Sequence, residues 1–269
     1  MPVTRSGPGG TMHRRPVTLG EAMDGPVWAI VLAGGVSRRF GDRPKQFERV
    51  GGLRMVDRTV AAARRTCDGV TLVLPPGRNW DGEPVDALAE GGDHQSESLR
   101  AGLATLPSDA AIAVVADPAH PLASDDLFRA VVAAVRAGAD GAVPVMPILE
   151  VVQRVRQGRA VETVPKDELV LTQSPQAFRV PVLRAAHADR PRPVDNSSLL
   201  VALGHRIDVV PGEPDNLHVT TAAELGVVQR LTSGRFADPV RSALPNGNVH
   251  ATASITDGGA PDTAEGPAS

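Results

Sequence analysis

The sequence predicts an α/β domain with a mostly parallel sheet, helices on both of its faces, and a protruding β-arm. Two patterns predict the domain: short apolar runs alternate with amphipathic helical segments, and turn residues separate them. A third pattern, a β-rich stretch without helical spacing, predicts the arm. Strands that alternate with helices form parallel sheets because each crossover connection places a helix on one face. Ligands bind such sheets outside the carboxyl ends of the strands, so we expect a site there.

The individual elements follow from the spacing of apolar residues. Four short apolar runs are typical of buried strands, and three longer segments place apolar residues at helical intervals. Ser124 and Asp125 begin the third helix with residue types that helix N-termini favour. The predicted strands cover residues 28–33, 70–74, 111–116 and 141–145, and the predicted helices cover residues 55–66, 96–106 and 125–137.

The predicted arm covers about residues 146–172. Its short β-rich segments are interrupted by Gln157-Gly158, which is a turn signal. An arm of this kind can join two copies of the chain in a homodimer, or it can be an ordinary surface hairpin. The sequence alone leaves both interpretations open. The three segments are residues 151–155, 161–164 and 170–172.

The two ends of the chain differ in composition from its middle. Residues 1–26 and 233–269 are rich in Gly, Pro and Thr and show no sustained periodicity. Such segments cannot bury enough apolar surface to fold, so we expect a disordered tail at each end. The remaining residues, 27–232, have the length of one domain.

Charge and cysteine content exclude several classes of protein. The net charge is −3 and the pI is near 6.2, which gives no reason to expect a nucleic-acid partner. Cys67 is the single cysteine of the sequence, so the chain has no intrachain disulfide. No apolar run approaches the roughly 18 residues that a membrane span requires. We therefore expect a cytoplasmic protein with neither a membrane nor a nucleic-acid partner.

A glycine loop with several cations follows the first predicted strand. Ala33, Gly34 and Gly35 end this strand, and glycines let backbone N–H groups approach phosphate oxygens closely. Fixed cations beside a triphosphate stabilise the charge that gathers during attack at its α-phosphorus. The loop is therefore predicted to bind a nucleoside triphosphate. Its cations are Arg38, Arg39, Arg43 and Lys45.

Two other phosphate-binding motifs do not fit this loop. A P-loop requires Gly-Lys-Ser/Thr, but Asp42 follows Gly41. A dinucleotide fingerprint requires G-x-G-x-x-G, and the glycines here have a different spacing. An NAD-dependent oxidoreductase is therefore a remote alternative.

The loop from Leu32 to Gln46 resembles the L-A-G-G-x-G-x-R-x-G…P-K-Q signature of the 2-C-methyl-D-erythritol 4-phosphate cytidylyltransferase family. Five later segments resemble family motifs in the expected order, and the resemblance covers about residues 27–231. It implies a Rossmann-like nucleotidyltransferase sheet and an enzyme that joins CTP to a polyol phosphate. The five segments are residues 91–103, 116–121, 172–178, 195–199 and 215–220.

The resemblance also implies roles for individual residues. Arg39 and Lys45 would stabilise charge at the α-phosphorus, with Lys166 and His218 as further catalytic groups. Besides the loop residues Ala33, Gly34 and Gly35, the nucleotide would contact Gly92 and Ser98. The cofactor would be Mg²⁺, held by Asp117 and Asp215, since one or two carboxylates usually hold this ion together with substrate phosphates. Family members transfer cytidylyl from CTP to methylerythritol phosphate in non-mevalonate isoprenoid synthesis, and Lys166 would act from the arm on a partner subunit's substrate.

Several positions depart from the family pattern, mostly on the acceptor side. Gln95 and His120 stand where the family has arginine, and His218 stands where it has lysine. A ribitol phosphate or other polyol phosphate cytidylyltransferase, or a catalytically impaired CTP-binding paralogue, are therefore alternatives. The remaining departures are Ser37 for a glycine, Lys166 for an arginine, and Met146-Pro147-Ile148 for a segment with Asp-Thr.

Simpler roles compete for the same residues. Asp117 and Asp215 could each cap a turn, and Ser98 could be only a helix N-cap residue. His120 and His218 could be hydrogen-bonded surface histidines.

Overall fold

A computed structural model describes residues 24–35, 40 and 44–233 of the chain. Most of both predicted tails, together with the predicted catalytic Arg39, lies outside these described residues. Within the described part the strands form one eight-stranded sheet and two small two-stranded sheets. The predicted α/β class with a mostly parallel sheet is confirmed.

The centre of the large sheet is parallel and fully buried. Strand β1 (Val27–Leu32) pairs in parallel with β4 (Gly69–Leu74) on one side and with β6 (Ile112–Ala116) on the other. Every residue of β4 and β6 is buried, as expected for strands that helices cover on both faces. Strand β5 (Ala87–Glu90) continues the parallel order beyond β4.

The other half of the sheet is mixed. Strand β7 (Gly141–Pro147) has β11 (Gln176–Arg179) beside it, and β11 runs antiparallel between β7 and β6. Strand β12 (Ile207–Pro211) pairs in parallel with β7 and closes this side of the sheet. These two strands were not identified in the sequence. Each is short, and its place is set by partners far away along the chain.

Helices cover both faces of the sheet, and alternate residues of β1 contribute to the two cores. One face carries α1 (Met55–Thr66) and α3 (Asp125–Arg136) over Ala29 and Val31. The opposite face carries α2 (Gln95–Thr105) over Ile30 and Leu32. On this second face lie also α4 (Val180–Ala186) and α5 (Asn196–Ala202).

A smaller cluster lies beside the main cores. Strands β2 (Arg49–Val50) and β3 (Leu53–Arg54) form a two-residue ladder, and α6 (Ala222–Thr232) packs next to it. Val50, Val219 and Val228 are fully buried in this cluster. The loop that precedes α6 is thereby held against the body of the domain.

The predicted arm contains a hairpin that stands apart from the main sheet. Strands β8 (Val152–Arg156) and β9 (Arg159–Val164) pair only with each other among the described strands, and most of their residues are exposed. Gln157 and Gly158 have φ values of 49° and 75°, as the twist of a tight hairpin turn requires. The third predicted segment differs: β10 (Val170–Thr172) pairs with the end of β7, because β7 extends to Pro147 and leaves an edge there to pair.

No helix in the described part of the chain combines the length and the apolar character needed to span a membrane.

Candidate active site

Two adjoining clefts open at the carboxyl ends of β1 and β6, where the parallel sheet predicts a site. The larger cleft has a volume of about 580 Å³ and the smaller one about 210 Å³. Leu32, Asp117 and His218 line both clefts, together with Gln95 at the start of α2. These shared walls mean that ligands in the two clefts would meet beside Asp117.

Glycines form the back wall of the larger cleft. A Cβ on Gly34 would lie 3.1 Å from Ser98 Oγ and 3.3 Å from Gly91 Cα, so only glycine fits this close approach without displacement. Ser98 is buried and its Oγ accepts a hydrogen bond from the Gly92 amide at 3.2 Å. Ser98 is not the N-cap of α2, which is His94; its hydrogen bond joins the loop after β5 to the helix. The predicted nucleotide-binding residues Gly34, Gly35, Gly92 and Ser98 line this cleft together, and Ala33 is buried just behind it.

Gln46 holds the glycine loop in place. Its buried side-chain amide donates to the carbonyl oxygen of Ala33 at 2.6 Å and to that of Gly35 at 3.1 Å. The sequence predicts no individual role for Gln46, although this residue lies in the Pro44-Lys45-Gln46 part of the family signature. Its position in this motif is the one sign in the sequence that Gln46 has a role. Its hydrogen-bond partners, Ala33 and Gly35, are apparent only from the fold.

Lys45 points into the larger cleft and also contacts the loop before α6. Its Nζ donates a hydrogen bond to the carbonyl oxygen of Val219 at 2.7 Å, across 174 positions of the chain. The short 3-10 turn Lys45–Phe47 fixes the start of this side chain. The ammonium group therefore lies where the glycine loop and the His218 loop come together.

Asp117 follows β6 and is fixed through both its backbone and its carboxylate. Its backbone amide donates to Ser174 Oγ at 2.8 Å, and its Oδ1 accepts the Ala119 amide at 2.8 Å. Asp117 thus caps the turn, as one interpretation of the sequence expected, but this uses only one carboxylate oxygen. The other, Oδ2, lies 3.8 Å from His218 Nε2.

His120 and His218 lie face to face beside Asp117. Their ring centroids are 4.6 Å apart and their planes differ by 3°. A backbone hydrogen bond from the Val219 amide to the Ala119 carbonyl oxygen, at 2.8 Å, aligns the two loops that carry them. The interpretation of both as surface histidines is wrong for His120, which is 8% exposed and whose Nδ1 has no hydrogen-bond partner among the residues that the structure describes.

Burial controls the charge of His120. It lowers the pKa of this imidazole to about 4, although the nearby Asp117 carboxylate opposes the shift. His120 is therefore neutral at pH 7, so it cannot replace the positive charge of the family's arginine. The half-exposed His218 presents its edge to both clefts.

A network of side-chain amides supports the smaller cleft. Gln173 donates to the carbonyl oxygens of Glu213 at 2.9 Å and Asn216 at 3.1 Å, and it accepts the Glu213 amide at 2.9 Å. Asn216 donates in turn to the Ser174 carbonyl oxygen at 2.8 Å. These bonds tie the segment between β10 and β11 to the loop before α6. Gln173 and Asn216 both lie in segments that resemble family motifs, but their role could not be derived from sequence.

Two predicted site residues lie away from the clefts. Asp215 is exposed in the loop before α6 and lines neither cleft. Lys166 follows β9 in the arm, where its Nζ donates to the carbonyl oxygen of Leu149. The structure therefore brings Lys45, Asp117 and His218 together, while Asp215 and Lys166 remain predictions.

Comparison with known proteins gives one consistent family. The model of the family "IspD: 2-C-methyl-D-erythritol 4-phosphate cytidylyltransferase" matches residues 27–232. The chain is 35% identical over 250 residues to the 2-C-methyl-D-erythritol 4-phosphate cytidylyltransferase of Frankia casuarinae, which covers 87% of this chain and 90% of that protein. It is 37% identical over 214 residues to the bifunctional enzyme IspD/IspF of Granulibacter bethesdensis, covering 76% of this chain. The chain spans 56% of the length of that bifunctional relative.

Comparison of the fold with solved structures identifies the same family. The crystal structure of 2-C-methyl-D-erythritol 4-phosphate cytidylyltransferase from Thermus thermophilus superposes with a TM-score of 0.66 at 28% identity. The match covers 76% of this chain and 98% of that structure. Because the family model covers most of the chain and the sequence and fold comparisons agree with it, the chain belongs to the IspD family of 2-C-methyl-D-erythritol 4-phosphate cytidylyltransferases.

Proposed function

We propose that the chain joins CTP and 2-C-methyl-D-erythritol 4-phosphate into the CDP-alcohol and releases pyrophosphate. The observation that carries this proposal is the meeting of two clefts at Asp117, with Lys45 and the glycine loop in the larger one. CTP would occupy the larger cleft and the polyol phosphate the smaller one. The reacting phosphorus would then lie at the shared wall.

The glycine loop and Lys45 support binding and activation of the triphosphate. Gly34 and Gly35 line the larger cleft without side chains, so a phosphate can approach their backbone closely, and Gln46 fixes the carbonyl oxygens of Ala33 and Gly35. Lys45 supplies a positive charge at the same place. Charge placed before the reaction begins stabilises the transition state without reorganisation, which is usually the largest contribution of an enzyme.

The reaction itself is an in-line displacement at the α-phosphorus. A phosphate oxygen of the acceptor forms the new P–O bond, and the bond from the α-phosphorus to the bridging oxygen of the β-phosphate breaks. Pyrophosphate leaves with that bridging oxygen and its electron pair. The protein's share of the work is to align the two phosphates and to neutralise their repulsion.

Mg²⁺ is the cofactor that we infer for this reaction. Asp117 offers one carboxylate oxygen toward the shared wall of the clefts, and a carboxylate combined with substrate phosphates is the usual environment of Mg²⁺. A bound Mg²⁺ would neutralise phosphate charge during the displacement. Asp117 is the described residue that we expect to hold it, with Asp215 as the second predicted carboxylate.

We also propose a cytoplasmic homodimer that forms through the arm. The arm exposes apolar side chains that a monomer would leave in water, including Leu149, Val155 and Val161 at 80%, 60% and 53% exposure. A second copy is the occupant that the family resemblance predicts, with Lys166 reaching the partner's smaller cleft. Size-exclusion chromatography with light scattering tests this arrangement, and a monomer at micromolar concentration would contradict it.

The direct test of function is pyrophosphate release with CTP, Mg²⁺ and methylerythritol phosphate. Ribitol phosphate serves as the alternative acceptor, and product analysis identifies the CDP-alcohol. Turnover with methylerythritol phosphate supports the proposal. Turnover with ribitol phosphate alone moves the function to another polyol phosphate, and CTP binding without turnover on either acceptor identifies an impaired paralogue.

A further inference from the structure

Asp117, the residue that we expect to hold Mg²⁺, has two histidines beside it, and imidazole nitrogens are ligands that Mg²⁺ does not favour. Asp117, His120 and His218 each offer one atom, and these atoms all lie within 4.8 Å of one another. The three residues come from two loops that are well separated in the sequence. We propose that Asp117, His120 and His218 form a binding site for a divalent transition-metal ion such as Zn²⁺ or Co²⁺. The inference goes beyond the proposed function because it concerns the cation rather than the two substrates.

The donor set is the first argument. Imidazole nitrogens are preferred by Zn²⁺ and Co²⁺, whereas Mg²⁺ prefers oxygen ligands. Two histidines with one carboxylate, leaving further positions open, is a familiar arrangement for transition metals. Two of the three donors are nitrogens, so the affinity of this set for a cation comes mainly from ligands that favour a transition metal over Mg²⁺.

The buried, unpartnered nitrogen of His120 is the second and independent argument. This residue is more than nine-tenths buried, and within the described part of the chain its Nδ1 lacks a hydrogen-bond partner. A buried polar atom without a partner destabilises the fold, and proteins rarely tolerate this without a use for the group. One nitrogen of this buried ring belongs to the set with Asp117 and His218, so a metal ion there would give the ring a use as a ligand.

The geometry requires only a local adjustment. Ligand bonds of about 2.1 Å place the atoms of a tetrahedral set about 3.4 Å apart, so a pair at the 4.8 Å limit must close by about 1.4 Å. An imidazole holds a metal in the plane of its ring, and two stacked rings cannot share one ion while they remain parallel. His218 is 46% exposed at its side chain and has room to rotate, whereas buried His120 does not. Metal binding therefore predicts that the stacking of the two rings is lost.

Titration of the metal-free chain with Co²⁺, without nucleotide, tests the site directly. Aqueous Co²⁺ absorbs only weakly in the visible range, and nitrogen ligation at low coordination number shifts and strengthens these bands, so binding and ligand type are read from one experiment. We expect one equivalent to bind, and excess Mg²⁺ to leave the bands in place. Isothermal titration with Zn²⁺ measures the affinity independently. Failure of pyrophosphate release would not affect this experiment, because no substrate is present.

Variants assign the ligands. His120→Ala and His218→Ala should each weaken Co²⁺ binding by at least about tenfold, which is the smallest loss usual even for outer-sphere partners of a metal. His94→Asn is the matched control, since His94 lines the larger cleft outside the ligand set and Asn keeps a capping side chain before α2. The site is disproved if wild type shows no nitrogen-ligated Co²⁺, or if His218→Ala binds it as tightly as wild type. Because His218 is half-exposed, its replacement by Ala or Lys tests the site even if His120→Ala fails to fold.

Discussion

The larger and the smaller cleft meet at Asp117, but their walls are built in different ways. The back wall of the larger cleft consists of backbone: Gly34, Gly35 and Gly92 line it. Gln46 donates hydrogen bonds to the carbonyl groups behind this wall. The smaller cleft depends on side chains such as Gln173, His120 and Asn196. Backbone walls survive changes of nearby residues, whereas a side-chain wall changes its chemistry with each substitution. The departure from the family pattern at His120 lies in the smaller cleft, where a substitution changes the chemistry of the wall directly.

Replacing Lys45, the cation of the larger cleft, should give the largest loss of activity that the comparison of the two clefts predicts. Lys45→Ala should lower kcat by about 10²–10³-fold, the usual loss when one fixed group that stabilises transition-state charge is removed. Pyrophosphate release at saturating CTP measures the effect. Arg64→Ala is the control, because Arg64 is a cation on the exposed face of α1 and should leave kcat unchanged. Equal turnover in Lys45→Ala and wild type would show that the larger cleft does not carry the chemistry.

The close packing of the glycine wall gives the next largest effect. Gly91→Ala places a Cβ 2.7 Å from Ser98 Oγ and 3.2 Å from Gly34 Cα, and such overpacking costs about 1–3 kcal/mol of unfolding free energy. Gly35→Ala is the matched comparison, since its Cβ would meet no atom of the described residues within 4 Å. In thermal unfolding we therefore expect Gly91→Ala to have a lower Tm than wild type, and Gly35→Ala to have the same Tm as wild type. Equal Tm values would mean that the wall is not closely packed.

Replacing Gln173 should affect substrate binding in the smaller cleft and leave binding in the larger cleft unchanged. Gln173→Ala removes three hydrogen bonds that hold the loop before α6, and we expect the KM for methylerythritol phosphate to rise about tenfold, or about 1.4 kcal/mol. The KM for CTP should stay as in wild type, because Gln173 lines only the smaller cleft. Initial rates with each substrate varied in turn provide both constants. A parallel rise in both would show that the clefts act as one unit.

Cys67 is a test residue outside both clefts, since it lies at the end of α1 and lines neither of them. Burial raises the pKa of its thiol to about 12, so the reactive thiolate is scarce at pH 8. Alkylation by iodoacetamide at pH 8 should be about a thousandfold slower than that of a free cysteine. Cys67→Ala should leave both KM values unchanged, and rapid alkylation of the native protein would contradict the burial.

The sequence predicted the larger cleft better than the smaller one, for a physical reason. The strand and glycine loop around Gly34, and the helix that carries Ser98, are encoded by local spacing. His120 and Gln173 acquire their surroundings from the loop before α6, through contacts with Val219 and Asn216 that no local pattern specifies. For the same reason β10 was assigned to the arm, although it pairs with the main sheet.

The hydrogen bond from the Val219 amide to the Ala119 carbonyl oxygen joins two loops that are made at different times during synthesis, and this affects when the site can form. A ribosome adds about 5–20 residues per second, so the roughly hundred residues between these partners take about 5–20 s to synthesise. During that interval the emerging chain already contains the glycine loop, Lys45 and Asp117, but the loop with His218 has yet to be made. The shared wall of the two clefts is therefore among the last parts of the domain to assemble on a newly made chain.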